Sequence, residues 1–395
     1  MKKILLVLLL GAAVHCPAQE KPWLRPDSLY KYVQPFAIVQ FWGTYTTGEK
    51  ARLTQEGPLE PVGDRFNFSF RRARLGFRGQ PYKHFGYYLA VYYDNLGRDR
   101  YSGNRAGTND AEIHVWDAYL TWKLGRNDAA TLTAGYFRPQ LSRECITAAF
   151  AVNSFEKSAS QTYIRQHLVG KGHGRTTGVN LGGIRQRGRV SINYNAGIFN
   201  NTTTGEQDET AGRYWSPLLV GRVAFTLGDP EMKKYGISYD INYYNNRRGI
   251  TLGLNASEQG RTDAFSRNTA AGADLLINYG NLNLDGECLV LERTTEGTAY
   301  RAYTGHARAG YNLLLHGKLF VEPVFMVTAF NGPAGAQFEG QDRVYDAGLN
   351  WYLNKKDLKL NLHYVWQDGH GRNGFTDEAI FRKGDYLGMG LQVIL

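Results

Sequence analysis

The chain has 395 residues, of which 46 are Gly, 26 Tyr, 19 Phe and 7 Trp, and its formal net charge is +10. Its mean hydropathy is −0.42, and past the N-terminus no apolar run approaches the roughly 20 residues that a membrane-crossing helix needs, which excludes a helical membrane bundle. No linker, low-complexity tract or composition break divides the chain, so one large, glycine-rich, aromatic all-β domain is expected.

Residues 1–18 read as a secretory signal peptide: Lys2 and Lys3 precede the apolar run from Ile4 to Leu10, and Cys16-Pro17-Ala18 offers a small residue for cleavage before Gln19. His15 is too large for the usual lipidation motif around Cys16. Loss of the leader removes two lysines and no acid, taking the formal charge from +10 to +8. Residues 19–33 form a short periplasmic lead, and residues 34–395 are expected to build an outer-membrane barrel.

The period-two pattern predicts strands over residues 34–46, 66–79, 84–94, 116–124 and 130–138, then a long loop at 139–175. Further strands are predicted at 176–185, 188–199, 217–227, 235–246, 269–279, 282–292, 301–315, 318–330, 343–353 and 358–367. The last strand, 384–395, places Leu387, Met389, Leu391, Val393 and Leu395 on one side and Tyr386, Gly388, Gly390, Gln392 and Ile394 on the other. A barrel leaves no backbone edge unpaired in lipid, so this strand is expected to pair with the first. About sixteen strands, an even number, result. Connections after even strands read as short and those after odd strands as mostly long, which places both chain ends at the periplasmic rim.

In the second strand Arg65, Arg71, Arg72, Arg74 and Arg78 occur without an acid among them. Ala73, Leu75 and Phe77 take the lipid side, which turns Arg72, Arg74 and Arg78 inward; an arginine facing mid-membrane lipid would cost about 2 to 4 kcal/mol. Phe66, Phe68 and Phe70 have the opposite parity, so a bulge is expected near Phe70 or Arg71. The run suits an anion-lined pore; the alternative is that these arginines pair with acids across the lumen and brace the wall. In the fourth strand Trp116, Ala118, Leu120, Trp122 and Leu124 form the apolar row, opposite Asp117, Tyr119, Thr121 and Lys123.

The loop at 139–175 carries Arg143, Lys157, Arg165, Lys171 and Arg175 against Glu144 and Glu156, with an apolar middle from Ile146 to Val152. Loops of this length are functional or disordered. This one is expected to fold inward and narrow the pore, against the alternative of a surface loop on lipopolysaccharide phosphates. Other inward bases are Lys123, Arg189, Arg222, Lys359 and His363, mixed with the acids Asp117, Asp240, Asp274, Asp285 and Glu287. Cys145 in the loop and Cys288 on a lipid-facing position are too differently placed for a disulfide. Gly170-Lys171-Gly172-His173-Gly174 lacks the spacing of a phosphate-binding P-loop, and no metalloprotease or serine-hydrolase motif occurs. Glu206, Asp208 and Glu209 read as a solvated loop more readily than as a calcium site. No catalytic residue, metal or cofactor is expected.

Several segments resemble the phosphate-selective porins O and P. They are Phe68-Ser-Phe-Arg-Arg-Ala-Arg-Leu75, Trp116-Asp-Ala-Tyr-Leu-Thr-Trp122, Gly135-Tyr-Phe-Arg-Pro-Gln-Leu-Ser142 and Phe155-Glu-Lys157, followed by Gly178-Val-Asn-Leu-Gly-Gly183, Asn195-Ala-Gly-Ile-Phe-Asn200 and Gly348-Leu-Asn-Trp-Tyr-Leu353. The resemblance implies a sixteen-stranded, trimeric outer-membrane barrel with an inward third loop and an arginine ladder, carried here onto Arg71, Arg72 and Arg74 alone. The chain departs from the pattern in ending on Leu395 rather than an aromatic residue and in lacking a later arginine run. The expected function is a passive anion channel, with phosphate as one candidate solute. Its pore residues would be Arg71, Arg72, Arg74, Arg78, Lys123, Arg143, Lys157, Arg165 and Arg222. Small anionic solutes, outer-membrane lipid, lipopolysaccharide and two further copies of the chain are the expected partners; nucleic acid is not one. A plugged structural or adhesive barrel and a barrel lipid hydrolase are the alternatives.

Overall fold

The computed structural model describes residues 32–52, 57–103, 112–170, 173–200, 212–295, 298–317, 319–333, 338–369, 372–373, 381–382 and 384–395. The proposed leader and the acidic group at Glu206, Asp208 and Glu209 lie outside the described residues.

Sixteen antiparallel strands close into one barrel. They are β1 (Gln34–Thr47), β2 (Arg65–Tyr82), β3 (Phe85–Tyr92), β4 (His114–Lys123) and β5 (Thr131–Phe137). After two helices, α1 (Arg143–Ile146) and α2 (Ser160–Val169), come β6 (Thr176–Arg187), β7 (Val190–Phe199) and β8 (Leu218–Gly228). The second half holds β9 (Arg248–Gln259), β10 (Arg267–Tyr279), β11 (Leu282–Thr295), β12 (Thr298–Tyr311) and β13 (Leu319–Gly332). It ends with β14 (Phe338–Lys356), β15 (Leu358–Gly369) and β16 (Asp385–Ile394). Each strand pairs with its neighbour, and β1 also pairs with β16 from Ile38↔Ile394 to Thr47↔Asp385, so the expected closure is present.

Alternation sorts the side chains as lipid and water demand. Leu75, Leu120, Phe225, Leu254 and Met389 are exposed on the outer wall, whereas Gln40, Thr44, Asn180, Asn255, Asn350 and Gln392 are buried inside. This inverts a soluble protein, whose apolar rows would be hidden. Cys288 is exposed on the outer wall and Cys145 is buried inside; both are free thiols.

Two bulges aim the charged wall. Between Gln40↔Arg72 and Phe41↔Phe70 the register of β1 and β2 skips Arg71, so Arg71 and Arg72 both turn inward, and the parity conflict around Phe70 is resolved as expected. The pairing of β3 with β4 likewise skips Trp116, between Ala90↔Asp117 and Val91↔Val115. Trp116, expected in the lipid-facing row, therefore joins Asp117 on the inner side.

One predicted strand is not a strand. Residues 235–246 alternate Tyr235, Ile237, Tyr239, Ile241 and Tyr243, which imitates a barrel strand, but they run inside the lumen and make one isolated parallel bridge, Thr147↔Tyr239. The ninth strand is β9, whose lipid row is Ile250, Leu252 and Leu254. Asp240 thus sits on an inward segment, not on the wall. The connection after β8 is long, contrary to the short turn expected, and Arg189 lies in the turn before β7 instead of inside it.

Candidate functional site

The loop between β5 and β6 enters from the rim opposite Gln34 and Ile394 and crosses the lumen. Ser142 caps α1 by accepting from the Cys145 N–H at 3.1 Å. Gly170, at φ 71°, closes α2 with its N–H on Gln166 O. Apolar contacts dock the loop at both sides: Phe155 stacks on Trp42 with centroids 4.2 Å apart, and Tyr163 on Phe330 at 3.9 Å. Gly388 makes the first contact possible, since a Cβ there would stand 2.4 Å from the Phe155 ring. Burial of each such ring stabilises the docked loop by about 1.5 to 3 kcal/mol.

Ion pairs complete the docking. Arg71 Nη2 lies 2.6 Å from Glu156 Oε2, and Arg72 pairs with the other oxygen of the same carboxylate. Arg74 pairs with Asp94 at 2.7 Å. Acids absent from the arginine run therefore arrive from the loop and from just beyond β3, and each of these three arginines has a carboxylate partner. Arg143 reaches Asp274 at 2.9 Å and Glu231 at 2.6 Å, and Arg222 shares Asp274 at 2.8 Å. Lys123 meets Asp128 at 2.5 Å. Burial alone would raise the Glu156 carboxyl, yet the adjacent Arg71 and Arg72 guanidiniums hold it well below the usual carboxylate range. Glu144, also buried, is lowered by Arg308, which donates to it at 2.8 Å. His167, buried beside Arg293, is pushed down to about 3 and stays neutral.

Three loop and strand-end cations behave differently. Arg138 Nη1 donates to the carbonyls of Cys145 at 2.8 Å and Thr147 at 2.9 Å. Lys157 Nζ donates to Thr147 O at 2.8 Å, and Arg165 Nη2 to Cys145 O at 3.3 Å. Among the described residues none of the three meets a carboxylate, and the buried Arg165 Nε has no hydrogen-bond partner. Gly174, at φ +65°, lets the chain pass over Arg165, because a Cβ there would be 2.3 Å from its Cγ. Burial, reinforced by Arg165, pushes the Lys157 ammonium well below its usual range, and burial also lowers Arg165. Nearby, Trp116 is sandwiched between the guanidiniums of Arg74 at 3.5 Å and Arg175 at 3.3 Å.

A second segment, residues 229–247, enters from the opposite rim and meets the loop. Ala148 N–H donates to Tyr239 O at 3.2 Å, and the Tyr239 hydroxyl donates to Asn193 at 2.7 Å. Lys356 ties it to the rim through Asp240 at 2.6 Å. The second segment also reaches β6, where Asn180 donates to the Tyr235 hydroxyl at 3.0 Å, while inward Arg78, Tyr88, Trp116 and Tyr119 on β2–β4 keep exposed surface. Arg78 donates to the Gln34 amide oxygen at 3.0 Å and lies over the Phe36 ring, 5.8 Å from its centroid.

Of the nine expected pore cations, then, Arg78, Lys157 and Arg165 have no carboxylate in ion-pair contact among the described residues. Sequence reasoning missed Arg138, although it stands inside the quoted Gly135–Ser142 segment; its proline neighbour marked a strand end and concealed a lumen position. One group brings three possible metal-ligand atoms within 4.8 Å of one another, from Glu144, Asp285 and His306. Arg308 donates to both carboxylates and fills the place of a cation.

Solved barrels share this fold at low identity. OprB of Pseudomonas putida matches at TM-score 0.59 and 10% identity, over 94% of this chain and 96% of that one. An anion-selective porin from Comamonas acidovorans matches at TM-score 0.54 and 13% identity, over 92% and 99%. The outer-membrane channel DcaP of Acinetobacter baumannii matches at TM-score 0.53 and 13% identity, over 92% and 97%. No curated protein sequence matches the chain. Residues 54–395 match the family model of phosphate-selective porin O and P, and with its closed barrel and inward third loop the chain belongs to that outer-membrane porin family.

Proposed function

We infer that the protein is a passive outer-membrane diffusion channel favouring anions. The observation that carries this reading is the gathering of Arg138, Lys157 and Arg165 on two backbone carbonyls, with no carboxylate in ion-pair contact with them among the described residues. A unit charge pair at about 4 Å contributes roughly 1 to 4 kcal/mol between the water and near-surface limits. That is enough to concentrate an anion and weak enough to release it, as conduction requires. A likeness to a barrel described as an anion-selective porin agrees with this sign. Phosphate is a candidate solute, a homotrimer the proposed assembly, and lipopolysaccharide the proposed neighbour of the outer wall. Residues 1–18 would be the removed leader and 19–33 a periplasmic lead, so the mature protein should begin at Gln19.

The test is a reversal-potential measurement across a planar bilayer holding a KCl gradient. The wild type should show anion preference, and Lys157→Met with Arg165→Met should reduce it severalfold; cation preference in the wild type would sink the reading. A plugged structural or adhesive barrel is favoured by one observation, the meeting of two inward segments at Thr147 and Tyr239. Absence of any conductance would decide for it.

A further inference from the structure

We propose that Arg185, Arg187 and Arg248 form a site on the outer wall for anionic phospholipids, whose headgroups meet the barrel at the rim that carries Gln34 and Ile394. All three arginines are exposed. Arg185 and Arg187 continue the outward row of Val179 and Leu181 at the end of β6, and Arg248 opens β9 on the side of Ile250, Leu252 and Leu254. Register joins them to the apolar wall: Arg187 opposes Val190, Val190 opposes Leu227 and Leu227 opposes Ile250. An outward arginine is costly at mid-membrane and nearly free at the interface, so the three mark the depth at which the apolar band gives way to headgroups. Backbone bonds hold the arc together. Gly188, at φ +61°, turns β6 into β7, the Gly228 N–H donates to Arg189 O at 2.7 Å, and the Asp229 N–H donates to Arg248 O at 2.9 Å.

The protein supplies no counter-charge to this arc. Among the described residues none of the three guanidiniums is in an ion pair. Asp128, in the neighbouring turn, is taken by Lys123 at 2.5 Å, and Asp229 accepts the backbone N–H of Arg248 at 2.8 Å. Outward arginines toward the opposite rim are placed differently. Arg267 pairs with Glu258 at 2.9 Å across β9 and β10, and Arg301 pairs with Glu292 across β11 and β12. Those two find their partners in the wall, whereas the arc leaves its charge to whatever surrounds the barrel.

An anionic phospholipid answers both halves of this surface. Its phosphodiester accepts paired N–H bonds from a guanidinium fork, and its acyl chains lie along the exposed Leu181, Leu227 and Ile250 beside it. A zwitterionic lipid brings its own ammonium and gains less from the same arginines. A soluble acidic partner would have to displace the leaflet to reach outward side chains, and a second copy of the chain meeting this face through the same arc would set like charges together. Basic clusters at a membrane surface attract anionic headgroups in this way, and salt screens the attraction. The site requires the closed barrel alone and does not depend on which ions the lumen prefers.

The test is native mass spectrometry of the full-length protein in detergent, offered equimolar phosphatidylglycerol and phosphatidylcholine with the same acyl chains. The wild type should retain about threefold more phosphatidylglycerol, an excess that shrinks as ionic strength rises. An Arg185→Gln, Arg187→Gln, Arg248→Gln triple variant should retain the two lipids equally, while an Arg267→Gln, Arg301→Gln variant at the other rim should keep the excess. Heat-modifiable migration on gels verifies that each variant folds; should the triple variant fail, the three single substitutions decide, each lowering the excess. Equal retention of the two lipids by the wild type overturns the site, and so does an undiminished excess in the triple variant or in the three single ones.

Discussion

A single carboxylate, Glu156, holds two buried guanidiniums and the tip of the inward loop. Glu156→Gln should leave Arg71 and Arg72 uncompensated, which costs about 3 to 5 kcal/mol for a buried pair broken on one side. Thermal denaturation in detergent should report the loss, and the reversal potential should move further toward anions. Because the folded carboxyl is held below the usual range, its contribution is complete above that range and disappears only as pH falls through the lowered value. In the wild type, conductance should accordingly show no loop-release step on acidification to pH 4. Lys157 makes the opposite case. Its ammonium is pushed well below the ordinary lysine range, so its charge is lost as pH rises, earlier than for an exposed lysine. Anion preference in bilayers should decline as pH rises through that lowered value, and Lys157→Met should lack the step. At this scale the inward arginines were legible from the parity of Ala73, Leu75 and Phe77. Their partner was not, because Glu156 stands 84 positions from Arg72 and no periodicity links the two.

At the scale of elements, period-two alternation found fifteen of the sixteen strands but could not tell β9 from the segment before it. Tyr235, Ile237 and Tyr239 alternate because one side packs inside the lumen, the same cause that makes a strand alternate against lipid. In β9 the apolar row of Ile250, Leu252 and Leu254 is followed by a polar end, Asn255 to Gln259. The long loop was recognised as inward from its apolar middle, yet the fit of Phe155 into the space left by Gly388 needed the coordinates. The two inward segments support each other through Thr147 and Tyr239, and their removal should act on the passage. Replacing residues 231–245 with a short turn should raise single-channel conductance severalfold while the barrel still closes; unchanged conductance would show that the segment does not border the path.

For the whole molecule, closure between β1 and β16 fixes which side of every strand meets lipid, and that sorting extends to the two thiols of the described residues. Cys288, on the outer wall, should react in membranes with a lipid-soluble maleimide, while buried Cys145 should react only after denaturation. Mass spectrometry of labelled peptides checks both, and protection of Cys288 in the native membrane would place it under a neighbouring subunit. The barrel and its wall were legible at this scale because lipid imposes one rule on every strand; the lumen obeys no such rule, and its packing had to be seen.

Insertions from opposite rims also set what the envelope refuses. A mesh anchored at Gln34's end and at the far end cannot be widened by displacing one loop alone, so bulky amphiphiles stay out even if either insertion fluctuates. The upper size of what passes is then set by two anchored insertions together rather than by either one.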